Sequence, residues 1–85
     1  MTYRIVMEKR ATKAMKKLPK IVQRRIDAVI DLLRHDPFLG KKLEGDFEGA
    51  WVIRAWPYRI IYTIENTTIT VTIVRIGHRQ SVYQK

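Results

Sequence analysis

The spacing of apolar residues changes period once along this chain, and that change limits the fold to a helical layer followed by a sheet. Val22, Ile26, Val29, Ile30 and Leu33 stand at offsets of 0, 4, 7, 8 and 11, one face of an α-helix. Later the period becomes two. Tyr58, Ile60, Tyr62 and Ile64 share one face of a strand, and Arg59, Ile61 and Thr63 share the other. Ile69, Val71 and Ile73 alternate with Thr68, Thr70 and Thr72, as in a strand with one buried side.

Around these runs the remaining elements fall into place. Tyr3-Arg4-Ile5-Val6-Met7 reads as a first strand. Ala11, Ala14, Met15 and Leu18, at offsets of 0, 3, 4 and 7, give a narrow apolar stripe on a helix over residues 8–18. Pro19 fits the first turn of a second helix, where its missing N–H costs nothing. Asp36-Pro37 ends that helix, because the residue before a proline is pushed out of the α region. The segment PFLGKKLEGDFEG, residues 37–49, holds three of the four glycines and reads as a loop. Strands are expected at 50–56, 58–64 and 67–76, with a tight turn at Pro57 and a polar turn at Glu65-Asn66. The order is β-α-α-β-β-β: an α+β fold, a helical hairpin packed on a twisted antiparallel sheet whose other face stays partly open. At 85 residues the chain is expected to form a single domain over 1–85.

Charge and composition narrow the function. The formal net charge is +9, carried by 17 Lys and Arg against 8 Asp and Glu. Lys9, Arg10, Lys13, Lys16, Lys17, Lys20, Arg24 and Arg25 follow one another with no acid between them. Such a run suits phosphates contacted without regard to base, and nucleic acid is its expected partner. A chain with no Cys has no disulfide or thiolate chemistry. The two histidines, His35 and His78, have no metal-ligand spacing, and Gly40, Gly45, Gly49 and Gly77 match no phosphate-binding loop. No metal or cofactor is expected. The apolar runs are too short for a membrane span, and the N-terminus does not read as a secretory signal. A cytoplasmic protein with no membrane partner is the expectation.

Candidate chemistry gathers on the strands. Arg54 and Arg59 lie either side of the Pro57 turn, so a hairpin can set them near each other. Arg75, His78, Arg79 and Tyr83 follow at the end of the last strand. Converging guanidiniums suit a phosphate through paired hydrogen bonds, and aromatics such as Trp56 or Tyr83 can stack on a base.

These residues resemble the RelE/ParE superfamily of bacterial and archaeal toxins, and within it the RelE-type ribosome-dependent mRNA endoribonucleases. The resemblance rests on Leu18-Pro19, Lys42-Leu43 with Gly45, Trp51 with Arg54, Tyr58-Arg59-Ile60-Ile61-Tyr62, and Ile76-Gly77-His78-Arg79 with Val82-Tyr83. It covers nearly the whole chain. It implies a toxin of a type II toxin–antitoxin system that cuts mRNA in the ribosomal A site, by attack of a ribose 2′-OH on the adjacent phosphate. It implies catalytic roles for Arg59, Arg79, Tyr83 and Arg54, and as partners the ribosome, mRNA and an acidic, partly disordered antitoxin. Where well-studied members carry a lysine two residues before Arg54, this chain has Val52. His78 is the local substitute for that proton acceptor, since an imidazole exchanges protons near neutral pH. The basic helical face is then expected to dock ribosomal RNA.

Plainer roles stand beside these. His78 can bond a neighbouring carbonyl, Arg54 can pair with Glu44 or Glu48, and Tyr83 can pack down a tail. Trp51 and Tyr62 read as core. Arg75 shares the parity of Ile69, Val71 and Ile73 and is expected to cap the core edge. His35 suits a helix C-terminus. Two other functions remain: a ParE-type gyrase inhibitor on the same fold, and a non-catalytic RNA-binding module.

Overall fold

The computed structural model describes residues 2–78. Strand β1 spans Arg4–Met7, helix α1 Lys9–Lys16 and helix α2 Lys20–His35; β2 is Lys41–Lys42, β3 Trp51–Ala55, β4 Tyr58–Glu65 and β5 Thr70–His78. The strands form one sheet in the order β1-β5-β4-β3-β2. Pairs β3/β4 and β4/β5 are antiparallel as expected, and β2, inside the segment expected to be a loop, adds an antiparallel pair with β3. The first strand differs: β1 runs parallel to β5, with Ile5 opposite Val71 and Met7 opposite Ile73, so the sheet is mixed. A helical hairpin between strands carries the chain across the sheet, and that kind of connection permits a parallel pair.

Both helices form where the apolar period placed them. Pro19 sits at the N-cap of α2 (φ −57°, ψ 150°). The Gln23 side chain donates to the Leu18 carbonyl at 2.9 Å and closes the joint between the helices. Asp36 leaves the helix in extended backbone, and its carboxylate accepts the Phe38 N–H at 3.1 Å, starting a short 3-10 turn over Pro37–Leu39.

The main core lies between the helices and one face of the sheet. Ala11, Met15, Ile26, Ile30 and Leu33 meet Ala55, Ile60, Tyr62, Val71, Ile73 and Ile76 there. Ile26, Leu33, Ile60, Tyr62, Val71 and Ile73 are fully buried, each contributing about 1.5–3 kcal/mol of transfer free energy. Trp51 packs against this core and stacks on Tyr62, ring centroids 6.4 Å apart, in keeping with its expected core role.

Two irregularities redirect side chains. Ile69 has φ 51°, a conformation costly for a β-branched residue, so a turn occupies 66–69 and β5 begins at Thr70. In β4/β5, Ile61 faces Arg75 while its neighbour Tyr62 faces Ile73, which leaves Val74 as the surplus residue of a β-bulge. Beyond it the alternation is reversed. Ile76, three residues after buried Ile73, returns to the core, and Arg75 lies on the opposite face beside Ile61. The expected place of Arg75 at the core edge is therefore corrected.

The face away from the helices carries its own small cluster. Ala50 and Ile61 are buried there, with Leu43, Phe47 and Val52 packed against them. The segment expected to be a plain loop thus folds over half of the open face, held by β2 and a 3-10 turn over Gly45–Phe47.

Candidate active site

What the Leu43–Ala50 segment leaves uncovered is a cleft beside β2, β3 and the start of β4. Leu39, Gly40, Lys41, Val52, Arg54 and Arg59 line it, and its volume is about 580 Å³. Arg54 and Arg59 stand directly opposite each other in the β3/β4 register, and Lys41 faces Val52 one strand further out. The β3/β4 connection over Ala55–Tyr58, with a cis peptide bond between Trp56 and Pro57, creates that opposition. Like charges set opposite on adjacent strands destabilise a sheet. A fold that keeps two arginines in this relation has a surface suited to an anion, whose charge offsets theirs.

One wall of the cleft hangs on a core residue. The Tyr62 hydroxyl donates to the Pro37 carbonyl at 2.7 Å and accepts the Gly40 N–H at 3.1 Å. Burial, assisted by the negative charge of Asp36, pushes the phenol up to about 12, against the lowering effect of the Gly40 N–H. It is therefore held neutral as a donor. Gly40 has no room for a side chain, because a Cβ there would run into the Tyr62 hydroxyl and the Val52 carbonyl. Tyr62 thereby fixes the Pro37–Gly40 segment that leads into Lys41.

The other expected residues fall into three groups. His78 pairs with Tyr58, their rings edge to face at 5.6 Å, while Arg59 pairs with Gly77. His78 thus belongs to the helix-side face and Arg59 to the open face, although both lie at the end of the sheet where β3 turns into β4. Arg79 and Tyr83 lie outside the described residues. Lys9, Arg10, Lys13 and Lys16 are exposed on α1, Lys17 at its C-cap, and Lys20, Arg24 and Arg25 on α2. Arg25 also donates to the Trp56 carbonyl at 2.9 Å, which ties the basic helical layer to the turn between the two arginines.

Among the plainer roles, Arg54 is exposed and, among the described residues, forms no ion pair with Glu44 or Glu48. His35 is the last residue of α2. Among the described residues there is no group of three or more His, Cys, Asp or Glu able to hold a metal ion, and no helix long and apolar enough to cross a membrane. One residue the sequence reading undervalued is Arg75. Its guanidinium lies over the Phe47 ring at 5.5 Å, on the same face as Arg59.

Residues 5–83 match the family described as the ParE toxin of the type II toxin–antitoxin system parDE. The Mycobacterium tuberculosis toxin RelG is 33% identical over 79 residues, covering 87% of this chain and 91% of that protein. The fold is similar to the crystal structure of the toxin–antitoxin complex RelBE2 from M. tuberculosis, with TM-score 0.87, 27% identity and 93% of each chain covered. It is also similar to the archaeal RelE–RelB complex from Pyrococcus horikoshii OT3, with TM-score 0.81, 31% identity, and 94% of this chain and 98% of that one covered.

Proposed function

This chain belongs to the ParE toxin family of type II toxin–antitoxin systems, and from that premise we propose that it is a RelE-type endoribonuclease that cuts mRNA in the ribosomal A site. The observation that carries the reading is the Arg54–Arg59 opposition in an open cleft, with Lys41 on the adjoining strand. In this reaction the ribose 2′-oxygen bonds to the neighbouring phosphorus and the bond from phosphorus to the 5′-oxygen breaks. A base takes the 2′-hydroxyl proton and an acid returns one to the 5′-oxygen. The products are a cyclic 2′,3′-phosphate and a 5′-hydroxyl. Arg54 and Arg59 stabilise the added negative charge on the five-coordinate phosphorus, the effect that is usually largest in such sites.

Proton transfer falls to the chain end, where His78 leads into Arg79 and Tyr83. His78 stands across the sheet from the arginine pair, and a proton acceptor must come within about 3 Å of the attacked 2′-hydroxyl, so its imidazole has to swing round the end of β5, beside the β3–β4 turn, to serve the linkage that the arginines grip. Exposed Trp56 occupies that turn and offers a surface for a base. Val52 lies on the floor of the cleft beside Arg54 and supplies no titrating group.

We further propose that the α1 and α2 cations dock ribosomal RNA. A cognate antitoxin, acidic and partly disordered, neutralises the toxin by covering this basic surface and folding on it. The relatives RelBE2 and archaeal RelE–RelB are themselves toxin–antitoxin complexes, which supports such a partner.

Primer extension on a translated message, with and without ribosomes, tests the reading: cleavage only on ribosomes is the expected result. The ParE description of the matching family favours a second reading, gyrase inhibition. A supercoiling assay with purified gyrase decides between them. Inhibited supercoiling with an intact message would replace the nuclease reading.

A further inference from the structure

We infer that Arg75 forms a second phosphate subsite on the open face of the sheet, which holds the RNA strand beyond the linkage gripped by Arg54 and Arg59; this rests on the nuclease reading above. Three observations carry it. The β-bulge at Val74 turns Arg75 out of the core and sets it opposite Ile61. Arg59 faces Gly77, so Arg75 is its diagonal neighbour, about 7–8 Å away across the β4/β5 ladder. The Phe47 ring lies under the guanidinium at 5.5 Å, which limits its orientations before any ligand arrives.

Sequence parity alone would have sent this arginine toward the apolar layer. The bulge and the 3-10 turn over Gly45–Phe47 instead present it beside two other arginines, a third like charge on one small face. A single phosphate accepts the Arg54 and Arg59 forks. A third fork one diagonal step away suits the next phosphate of an extended single strand. The subsite is expected to read no base, because phosphate oxygens, which a guanidinium fork grips, are the same at every nucleotide. Arg75 thus holds substrate without touching the reacting atoms, and its removal raises KM while kcat stays near the wild-type value.

A short single-stranded RNA with 2′-O-methyl riboses has no 2′-hydroxyl to attack and reports binding alone. It is titrated into wild type, Arg75→Gln and Arg75→Lys over a range of salt concentrations, with circular dichroism confirming that each variant is folded. Arg75→Gln keeps the stem over Phe47 and Ile61 and removes the charge. Its affinity is expected to fall by about tenfold or more. Its plot of log K against log salt should become shallower by about 0.7, the effect of one fewer neutralised phosphate on a single strand. Arg75→Lys should keep the wild-type slope with weaker affinity, because an ammonium has the charge but neither the fork nor the stack. Wild-type affinity and slope in Arg75→Gln, with the wild type binding normally, would overturn the subsite and leave the Arg54–Arg59 reading intact. No binding by the wild type would overturn the subsite, while the Arg54–Arg59 reading stands or falls by cleavage on ribosomes.

Discussion

Removing the Tyr62 hydroxyl as Tyr62→Phe is expected to weaken the fold out of proportion to the single atom removed. The ring stays, so packing against the core and the stack on Trp51 are kept. What goes is a donor to Pro37 and an acceptor for Gly40, at 2.7 and 3.1 Å. The bond to Pro37 is worth about 1 kcal/mol, and an unpaired Gly40 N–H in a half-buried position costs about 1–3 kcal/mol more. The expected destabilisation is about 2–4 kcal/mol, on the order of 10–20 °C in Tm for a domain of this size. Urea unfolding followed by circular dichroism measures it. The pH dependence gives a second signature. The folded phenol titrates at about 12 while an unfolded tyrosine titrates at about 10, so the unfolded state loses its proton first. Wild-type stability therefore falls as pH rises from about 10 toward about 12. The variant lacks that component, and the gap between the two proteins narrows over the same window. A variant within about 0.5 kcal/mol of wild type, with a constant gap, would refute the reasoning.

Arg54→Thr removes a like charge opposite Arg59 and places a good strand former in β3, so stability should rise by about 0.2–1 kcal/mol while cleavage on ribosomes falls by about 100-fold or more. A less stable variant with wild-type cleavage would deny the anion role of the pair. His78→Ala should keep RNA affinity and lose turnover in single-turnover cleavage on programmed ribosomes, and wild-type rates would discard its part in proton transfer. Lys13→Ala with Lys17→Ala should flatten the salt dependence of ribosome binding, by about 1 in slope for each phosphate no longer neutralised. An unchanged slope in filter binding would count against docking through α1.

The parts of the fold that were legible in the chain are those set by local periodicity. Val22 through Leu33 repeat every three or four residues, and only a helix buries them together. Tyr58 through Ile64 alternate, and only a strand separates Arg59 from Ile60. The parallel pairing of β1 with β5 was not legible, because it joins residues more than sixty apart and leaves no trace in either strand's own pattern. The covering of Ile61 by Leu43 and Phe47 escaped for the same reason, since irregular segments carry no period. The bulge did leave a mark. The buried positions of β5 step by two from Val71 to Ile73 and then by three to Ile76, the footprint of one surplus residue. At the site, Arg54 and Arg59 were legible as a hairpin pair. The side of His78 was not, since it follows from a register beyond that bulge.

That surplus residue also gives the last strand a slack of one amino acid. Deleting the single codon for Val74 would restore unbroken alternation along β5 while every later residue keeps its partner on β4. Arg75 would still face Ile61 on the open side, and Ile76 would still return to the core opposite Ile60. In-frame loss of a residue at this one point is therefore the deletion that β5 can absorb with both of its faces intact.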